Sequence, residues 1–382
     1  MKVVLLCNYP HDAQQSMLRF GGLLAKALRS RGIEVSVIAP TRRFGGLLRS
    51  PTSSRAGRWL GYIDKYLLFP INLRKALHPF ENRRDTVVHV VDHSNAVYLP
   101  ARSALPWVMT CHDLLAVRGA LGEDTDCPAT PLGRRLQHRI MGGLARADAV
   151  ACDSTSTRED LDRLVSATTA QKRPVIFLPL NHPYQPTTLT AASFLPDLPP
   201  TLPFLLHVGS NLTRKNKIGA LRVFTRLAAG GWPGHLVFCG AQLPEDVHAA
   251  ASSAGISDRV HVLPRASEAQ LEALYSQAHA LLFPSRGEGF GWPVIEAQAC
   301  DCPVICSDRT SLPEIGGDAA LVHSLDDEAG MAASVLKLAD PVFRAEIVRR
   351  GRENLVRFSL DRMLDAYIEL YASVLRMRFA QP

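Results

Sequence analysis

Two successive series of short apolar segments, each segment followed by a helical or loop pattern, constrain the fold of this chain more than any other feature. The first series predicts strands at residues 3–7, 35–39, 87–92, 107–111, 149–153 and 175–178. The second predicts strands at 204–208, 235–239, 260–263, 280–284, 304–307 and 320–322. Short apolar strands that alternate with helices are typical of βα units and parallel sheets. The sequence therefore predicts an α/β protein with two doubly wound parallel sheets.

A cluster of prolines separates the two series. Seven of them fall within 25 residues, at positions 179, 183, 186, 196, 199, 200 and 203. Proline lacks the backbone N–H and fixes φ, so neither helix nor strand propagates through such a stretch. A chain of 382 residues is long enough for two domains. We predict a first domain at 1–185, a linker at 186–203, a second domain at 204–358 and a C-terminal helix at 359–382.

The positive charge of the chain is concentrated in its first half. The net charge is +7, and ten basic residues between Arg42 and Arg84 face only Asp64 and Glu81. Trp59, Tyr62, Tyr66 and Phe69 are interleaved with them. A basic and aromatic segment of this kind suits an anionic membrane surface or a nucleic acid. An ordinary solvated surface segment is the alternative interpretation.

Targeting and cysteine patterns indicate a cytoplasmic protein. The N-terminal apolar run is too short for a signal peptide, and no apolar stretch approaches the ~18 residues of a membrane span. The eight cysteines contain no CxxC pair. Most of them lie in apolar strand-like runs, where a reduced thiol packs as a small hydrophobic group. We therefore expect neither disulfides nor a zinc site.

A glycine-rich loop between a predicted strand and a predicted helix is the most informative segment. It reads SRGEGFGWPVIEAQAC over residues 285–300, and its glycines permit close approach of a ligand to the backbone. Pro293 suits the first turn of a helix. The N–H groups of Phe290, Gly291 and Trp292 would then face an anion or sugar at that helix N-terminus.

Glu288 and Glu296 in this segment are separated by seven residues. The segment closely resembles the donor-binding region of the retaining glycosyltransferases of family 4, which has a Glu-Gly-Phe-Gly loop and a second Glu at this spacing. The resemblance implies the GT-B fold, in which two Rossmann-like domains face a central cleft and the C-terminal helix crosses back to the first domain. It also implies sugar transfer with retention from a nucleoside-diphosphate sugar of the GDP or UDP type, without a metal or other cofactor.

The family resemblance extends to HVGSNLTRKN, residues 207–216, which resembles a diphosphate-binding loop. Family members often carry Arg directly after the strand glycine, where this chain has Ser210, which leaves Arg214 and Lys215 as the main phosphate partners. Glu288 is expected to hold the sugar and act in catalysis, and Glu296 to bind the donor ribose. The residues implied in donor binding are Gly209, Ser210, Arg214, Lys215, Gly289, Phe290, Gly291, Trp292 and Glu296.

The first half contributes candidates for catalysis and for the acceptor. TCHDLLAVR resembles the family segment in which His112 contacts the transferred sugar and Asp113 fixes the loop. His93 is a candidate for the acceptor side. Many family members have Gly-Gly before the first helix, whereas this chain has Gln15 and Ser16, and Ser16 is expected to cap that helix and offer a hydroxyl or N–H to an anion. Ser154 is expected only to cap a helix.

The expected acceptor is a glycan or lipid-linked glycan, and the basic segment suggests peripheral contact with the inner face of a membrane. The sequence leaves two alternatives open. One is a nucleotide-sugar epimerase of the same fold. The other is a nucleic-acid-binding protein that uses the basic first half, although the chain has no recognised binding motif, so we expect no nucleic-acid partner. A dinucleotide-binding dehydrogenase is disfavoured because no GxGxxG follows the first strand.

Overall fold

The computed structural model describes residues 1–10, 15–41, 60–166, 168 and 170–379. The chain divides into two compact units. The first comprises Met1–Phe177 and Leu360–Pro382, and the second comprises Leu178–Ser359. Both are built around all-parallel sheets. The C-terminal helix therefore belongs with the first unit although it follows the second in sequence.

The boundary between the units precedes the segment 186–203 that the proline cluster predicts as a linker. In the structure this segment packs on the second unit. The N–H of Thr187 donates to Ser276 Oγ at 3.1 Å, and the N–H of Ala191 donates to Gln277 Oε1 at 3.1 Å. Proline stops helices and strands from propagating, but an extended segment can still donate hydrogen bonds to side chains of a neighbouring helix.

The first sheet has the strand order β2-β1-β3-β4-β5. Its strands are β1 Lys2–Leu6, β2 Glu34–Ile38, β3 Thr86–Val90, β4 Trp107–Cys111 and β5 Ala149–Cys152. The strand predicted at 175–178 does not form, and isolated bridges join Lys172 to Ala149 and Val175 to Cys152 instead. Pro174 and Pro179 flank this stretch, and each lacks the N–H that a continuous ladder requires.

The helices of the first unit pack their apolar faces on this sheet. They are α1 Gln15–Ser30, α2 Phe69–Leu77, α3 Leu115–Ala120, α4 Pro131–Arg146, α5 Thr155–Leu164 and, at the C-terminus of the chain, α13 Leu360–Phe379. In α1, Phe20, Leu24 and Leu28 are buried at helical spacing. Gly32, with φ of +73°, follows the end of α1, where glycine commonly terminates a helix. Residues 42–59 of the predicted basic segment lie outside the described residues.

Helix α13 is joined to the first sheet by a buried chain of hydroxyl and imidazole groups. The Tyr371 hydroxyl lies 2.7 Å from Nδ1 of His89, and Nε2 of His89 lies 2.8 Å from Thr110 Oγ1. Thr110 Oγ1 in turn lies 2.7 Å from the Tyr367 hydroxyl. Burial lowers the pKa of His89 to about 3, with a smaller contribution from the charge of His112. His89 is therefore a neutral link between β3 and α13.

The second sheet has the strand order β11-β10-β9-β6-β7-β8. Its strands are β6 Phe204–Val208, β7 His235–Cys239, β8 Val260–Leu263, β9 Ala280–Phe283, β10 Val304–Ser307 and β11 Ala320–His323. The helices are α6 Lys217–Ala229, α7 Glu245–Ser253, α8 Glu268–Gln277, α9 Trp292–Ala299, α10 Leu312–Gly316, α11 Glu328–Lys337 and α12 Pro341–Leu355. All six strands agree with the predicted ones to within one residue.

The predicted site residues of each unit follow the carboxyl ends of its strands. In the first unit, His93 follows β3 and His112 follows β4. In the second unit, Gly209 follows β6 and Glu288 follows β9. Open parallel sheets bind ligands at this edge. No helix in the part of the chain that the structure describes combines the length and the apolar character that a membrane crossing requires.

Candidate active site

Glu288 is held by two cations and a hydroxyl at the carboxyl edge of the second sheet. Its Oε2 accepts a hydrogen bond from Arg214 Nη1 at 2.6 Å, and its Oε1 accepts from Lys215 Nζ at 2.8 Å and from Ser285 Oγ at 2.6 Å. Glu288 is 8% exposed. The structure thus brings together the three charged residues that the sequence predicts on separate loops.

The charges in the cluster of Arg214, Lys215 and Glu288 oppose the effect of burial on the pKa values of Glu288 and Lys215. Burial raises the pKa of Glu288, but the charges of Lys215 and Arg214 outweigh it and lower the pKa overall. Burial also lowers the pKa of Lys215, and the attraction of Glu288 only partly offsets this. Glu288 is therefore an ionised carboxylate, and one negative charge faces two positively charged side chains.

Backbone contacts fix the loop that carries Glu288. The N–H of Glu288 donates to Thr310 Oγ1 at 2.8 Å, and Ser311 Oγ donates to the carbonyl oxygens of Glu288 and Phe290 at 3.0 and 2.8 Å. Arg214 is tied to the same loop, because the N–H of Arg286 donates to its carbonyl oxygen at 2.7 Å. The loop after β6 and the loop after β9 are thus joined to each other by hydrogen bonds.

Gly291 ends this loop and caps helix α9. Its φ of +103° is unfavourable for other residues, and an added Cβ would lie 3.0 Å from Leu312 Cδ2. Pro293 occupies the first turn of α9, as the sequence predicts. Trp292 begins the helix, and its Nε1 donates to the Pro179 carbonyl oxygen at 3.0 Å. The helix N-terminus therefore follows directly on the Glu288 loop.

The loop after β6 places Gly209 against Lys215. A Cβ at Gly209 would lie 3.1 Å from Cγ and Cδ of Lys215. Asn216 takes the left-handed conformation with φ of +52°, and its side chain accepts from the N–H of Gly219 to cap α6. Ser210 is exposed. Lys217, which the sequence analysis did not select, is buried and donates to Asn211 Oδ1 at 2.8 Å.

Glu296 lies one turn into α9 and is buried among neutral donors. The Tyr275 hydroxyl donates to its Oε2 at 2.9 Å, and Asn181 Nδ2 donates to its Oε1 at 3.3 Å. Burial raises the pKa of Glu296 to about 7, and these two hydrogen bonds only partly oppose the rise. Tyr275 and Asn181 were not predicted from the sequence, because nothing in their local pattern marks them and Asn181 is 115 residues from Glu296.

His112 lies at the carboxyl edge of the first sheet with both ring nitrogens engaged. Nδ1 lies 2.5 Å from Asp153 Oδ2, and Nε2 lies 2.9 Å from the Val91 carbonyl oxygen. Burial lowers the pKa of His112, but the charges of Asp153 and Asp92 outweigh it and raise the pKa to about 9. Asp153 was not selected from the sequence, in which it is one of many aspartates after a strand.

The remaining candidates of the first unit are His93, Asp113 and two serines that were expected to cap helices. His93 is buried, and its Nδ1 lies 3.4 Å from Asp92 Oδ1. Asp113 Oδ1 accepts from the N–H of Leu115 at 3.0 Å. Ser154 caps α5 as predicted, accepting from the N–H of Thr157 at 3.1 Å. The capping role predicted for Ser16 is wrong, because α1 begins at Gln15 and Ser16 is inside its first turn.

Comparison with known proteins gives two family matches, one in each unit. Residues 22–171 match the model of Glycosyltransferase Family 4, and residues 193–353 match that of Glycosyl transferases group 1. Together the two regions take in most of the chain. The chain belongs to glycosyltransferase family 4. The family resemblance predicted from the Glu288 segment is thereby confirmed.

Similar sequences carry glycosyltransferase names. The D-inositol 3-phosphate glycosyltransferase of Mycolicibacterium smegmatis is 30% identical over 301 residues, which are 74% of this family 4 chain and 65% of that protein. The O-antigen chain mannosyltransferase B of Escherichia coli is 39% identical over 102 residues, which are 26% of this chain and 27% of that one. The chain thus spans somewhat less than two thirds of the first relative's length.

Solved structures share the fold over nearly the whole chain. Sucrose-phosphate synthase from Thermosynechococcus elongatus has a TM-score of 0.74 at 19% identity and covers 99% of this chain and 100% of its own. An Anabaena protein solved with UDP and glucose has a TM-score of 0.69 at 14% identity, with 98% and 100% covered. The predicted GT-B fold of two Rossmann-like parallel-sheet units is confirmed.

Proposed function

We propose that this family 4 chain transfers a sugar, with retention at the anomeric carbon, from a nucleoside-diphosphate sugar to an acceptor hydroxyl. The observation that carries the proposal is the cluster of Arg214, Lys215 and Glu288. It lies at the carboxyl edge of the second sheet, beside the glycine-rich loop that leads into α9. Two cations beside a helix N-terminus suit the diphosphate of such a donor.

The cluster suits the charges that develop when the donor's sugar–phosphate bond breaks. The departing diphosphate gains negative charge, which Arg214 and Lys215 would stabilise. The sugar ring gains positive charge, which the carboxylate of Glu288 would steady. Because Arg214 and Lys215 supply the positive charge, we propose transfer without a metal ion.

The donor proposal is supported by a relative in structure. The Anabaena protein was solved with UDP and with UDP-glucose. We propose a donor of the UDP or GDP type, with its ribose near Glu296. For the acceptor we propose a glycan or a lipid-linked glycan, the class predicted from the family resemblance. On the acceptor side we propose Asp113, His93 and the first turn of α1 at Ser16, with His112 contacting the transferred sugar.

Loss of the two cations tests the donor site. Arg214→Ala and Lys215→Ala should each weaken binding of UDP or GDP by roughly 10- to 100-fold, since a hydrogen bond to a charged group is worth ~1.5–3 kcal/mol. Uridine and guanosine should be little affected, because they lack the diphosphate. Isothermal titration calorimetry measures both.

Arg222→Ala provides the matched control in the same unit, because Arg222 pairs with Glu328 on the exposed side of α6. It should leave nucleotide binding unchanged. Equal losses for the nucleoside and the diphosphate in the Arg214 and Lys215 variants would contradict their assignment to the phosphates.

A further inference from the structure

The side-chain amide of Asn181 lies beside the carboxylate of Glu296. Asn181 Nδ2 donates to Glu296 Oε1 at 3.3 Å, while Oδ1 of the same amide is buried and has no hydrogen-bond partner among the residues that the structure describes. Tyr275 holds the other carboxylate oxygen at 2.9 Å. A buried carbonyl oxygen without a partner costs free energy, so such atoms are rare and call for an explanation.

The contact with Glu296 fixes which way the Asn181 amide faces. Above its pKa of about 7 Glu296 is an ionised carboxylate, which only accepts hydrogen bonds, so the NH₂ group of the amide is the end that approaches it, as the 3.3 Å contact from Nδ2 shows. The carbonyl oxygen therefore faces away from the carboxylate as an acceptor. Asn181 and Glu296 thus form a pair that offers acceptor oxygens from two adjacent side chains.

We propose that Asn181 is a further donor-binding residue, and that its Oδ1 and the Glu296 carboxylate together accept hydrogen bonds from the two vicinal ribose hydroxyls of a nucleoside diphosphate. This inference rests on the proposed function, in which Glu296 lies near the ribose. It adds the residue that makes the site specific for a diol. Adjacent acceptors match adjacent hydroxyls, whereas the edge of a nucleobase presents donors and acceptors mixed.

The position of Asn181 suits this role. It lies in the segment between Leu178 and Thr190, which forms neither helix nor strand in the structure. Asn181 is itself partly exposed. Its side chain can therefore adjust to a ligand without disturbing the sheet. The nearby Trp292 Nε1 bond to the Pro179 carbonyl oxygen ties the same segment to the start of α9.

The experiment compares ribose and deoxyribose ligands. UDP and GDP are titrated by calorimetry into the full chain alongside their 2′-deoxy and 3′-deoxy analogues. The protein is expected to bind at least one ribonucleotide about tenfold more tightly than an analogue that lacks one hydroxyl. In Asn181→Ala this preference should fall to about twofold for one of the two analogues, while the preference for diphosphate over nucleoside stays unchanged.

Two variants act as comparisons. Tyr184→Phe removes a neighbouring hydroxyl that donates to Glu268 at 2.7 Å, and it should retain the ribose preference. Asn181→Asp keeps an acceptor oxygen but brings a second carboxylate to Glu296, so it should weaken binding of the ribonucleotide more as the pH rises. A purely structural role of Asn181 would lower affinity for ribose and deoxyribose ligands equally.

The outcomes separate this inference from the proposed function. An unchanged ribose preference in Asn181→Ala, with nucleotide binding intact, would overturn the role of Asn181 alone. Failure of the unmodified protein to bind either UDP or GDP would overturn the proposed function and this inference with it. A preference lost in Asn181→Ala and kept in Tyr184→Phe would support both.

Discussion

Glu288 pairs with two cations and is also proposed to act on the sugar, and a single substitution should separate these two roles. Its carboxylate pairs with Arg214 and Lys215, and it is also the group proposed to steady the sugar charge. Glu288→Gln keeps the volume and removes the charge. We expect transfer to fall by at least ~100-fold, as for loss of one preorganised electrostatic group.

The same variant should bind UDP or GDP more tightly, because the diphosphate no longer competes with the carboxylate for the two cations. Turnover and calorimetry measure the two effects. Glu328→Gln, which removes a surface carboxylate paired with Arg222, is the control. Near-normal turnover in Glu288→Gln would contradict the role proposed for this residue.

Glu296 should make stability depend on pH near neutrality. Burial raises its pKa to about 7 from an ordinary value of 4.5, so the folded protein binds this proton more tightly than the unfolded chain does. The stabilisation is therefore present below pH 4.5 and is lost as the pH rises through 7. The size of this stabilisation is roughly 3 kcal/mol.

Glu296→Gln should remove this pH dependence, and the free energy of unfolding of the variant should exceed that of the unmodified protein most at pH 8. Denaturant unfolding at pH 5 and pH 8 measures it.

The residues predicted from the sequence share one property, which is that a local motif contains them. Glu288 and Glu296 lie in one glycine-rich segment, and Arg214 and Lys215 lie in another. The structure adds Asn181, Tyr275 and Asp153, whose partners are distant in sequence. A polar residue that is buried only because a distant strand or helix covers it has no local signal. Such residues become visible only when the contacts are known.

At the scale of elements, the strands were predictable and the junctions were not. Buried parallel strands are continuous apolar runs, so their bounds can be read from the sequence. The stretch at 175–178 looks the same, but the prolines on both sides prevent a ladder. Helix α13 shows a similar limit. The sequence predicts this C-terminal helix, but not that Tyr367 and Tyr371 reach Thr110 and His89.

Tyr371→Phe should loosen the attachment of α13 to the first sheet. The variant removes the hydroxyl 2.7 Å from His89 Nδ1 and leaves that buried nitrogen without its partner. The expected loss in the free energy of unfolding is ~1–3 kcal/mol. Arg376→Ala breaks an exposed pair with Glu369 on the same helix and should cost less than ~1 kcal/mol. Thermal or denaturant unfolding compares them, and equal effects would contradict a specific role of the buried hydroxyl.

At the scale of the molecule, two parallel-sheet units and the family were predictable because each rests on a pattern repeated along the chain. The boundary between the two units was harder to predict from the sequence. Prolines mark where regular structure ends, but they do not determine which unit an extended segment packs against. The structure assigns Leu178 onward to the second unit and the last helix to the first. That assignment depends on contacts between distant residues.

The basic charge of the first half has a structural counterpart in a groove of the first unit. The groove has a volume of about 590 Å³, and its lining combines apolar residues such as Leu73, Leu99 and Trp107 with four cationic side chains and one acidic one, Glu81. The cations are Arg74, Lys75, Arg102 and Arg139. Ile71, which also lines the groove, is 59% exposed, and Leu67, four residues earlier in the chain, is 63% exposed. Exposed aliphatic side chains next to cations suit an anionic membrane surface.

We propose peripheral membrane contact through this groove, and removal of positive charge from its lining tests the proposal. Arg74→Gln combined with Arg139→Gln should weaken sedimentation with phosphatidylglycerol vesicles by roughly 30-fold at low salt, since each cation contributes about 1 kcal/mol near an anionic surface. Lys26→Gln combined with Lys172→Gln removes the same charge from exposed positions elsewhere in the first unit and should have a much smaller effect.

The lipid and the salt concentration provide further controls. Phosphatidylcholine vesicles should bind weakly in every case, and high salt should weaken binding to the anionic vesicles because it screens exposed charges. If the protein ignores anionic vesicles at low salt, or if both double variants lose binding equally, the groove is not a membrane-binding surface and the acceptor is expected to be soluble.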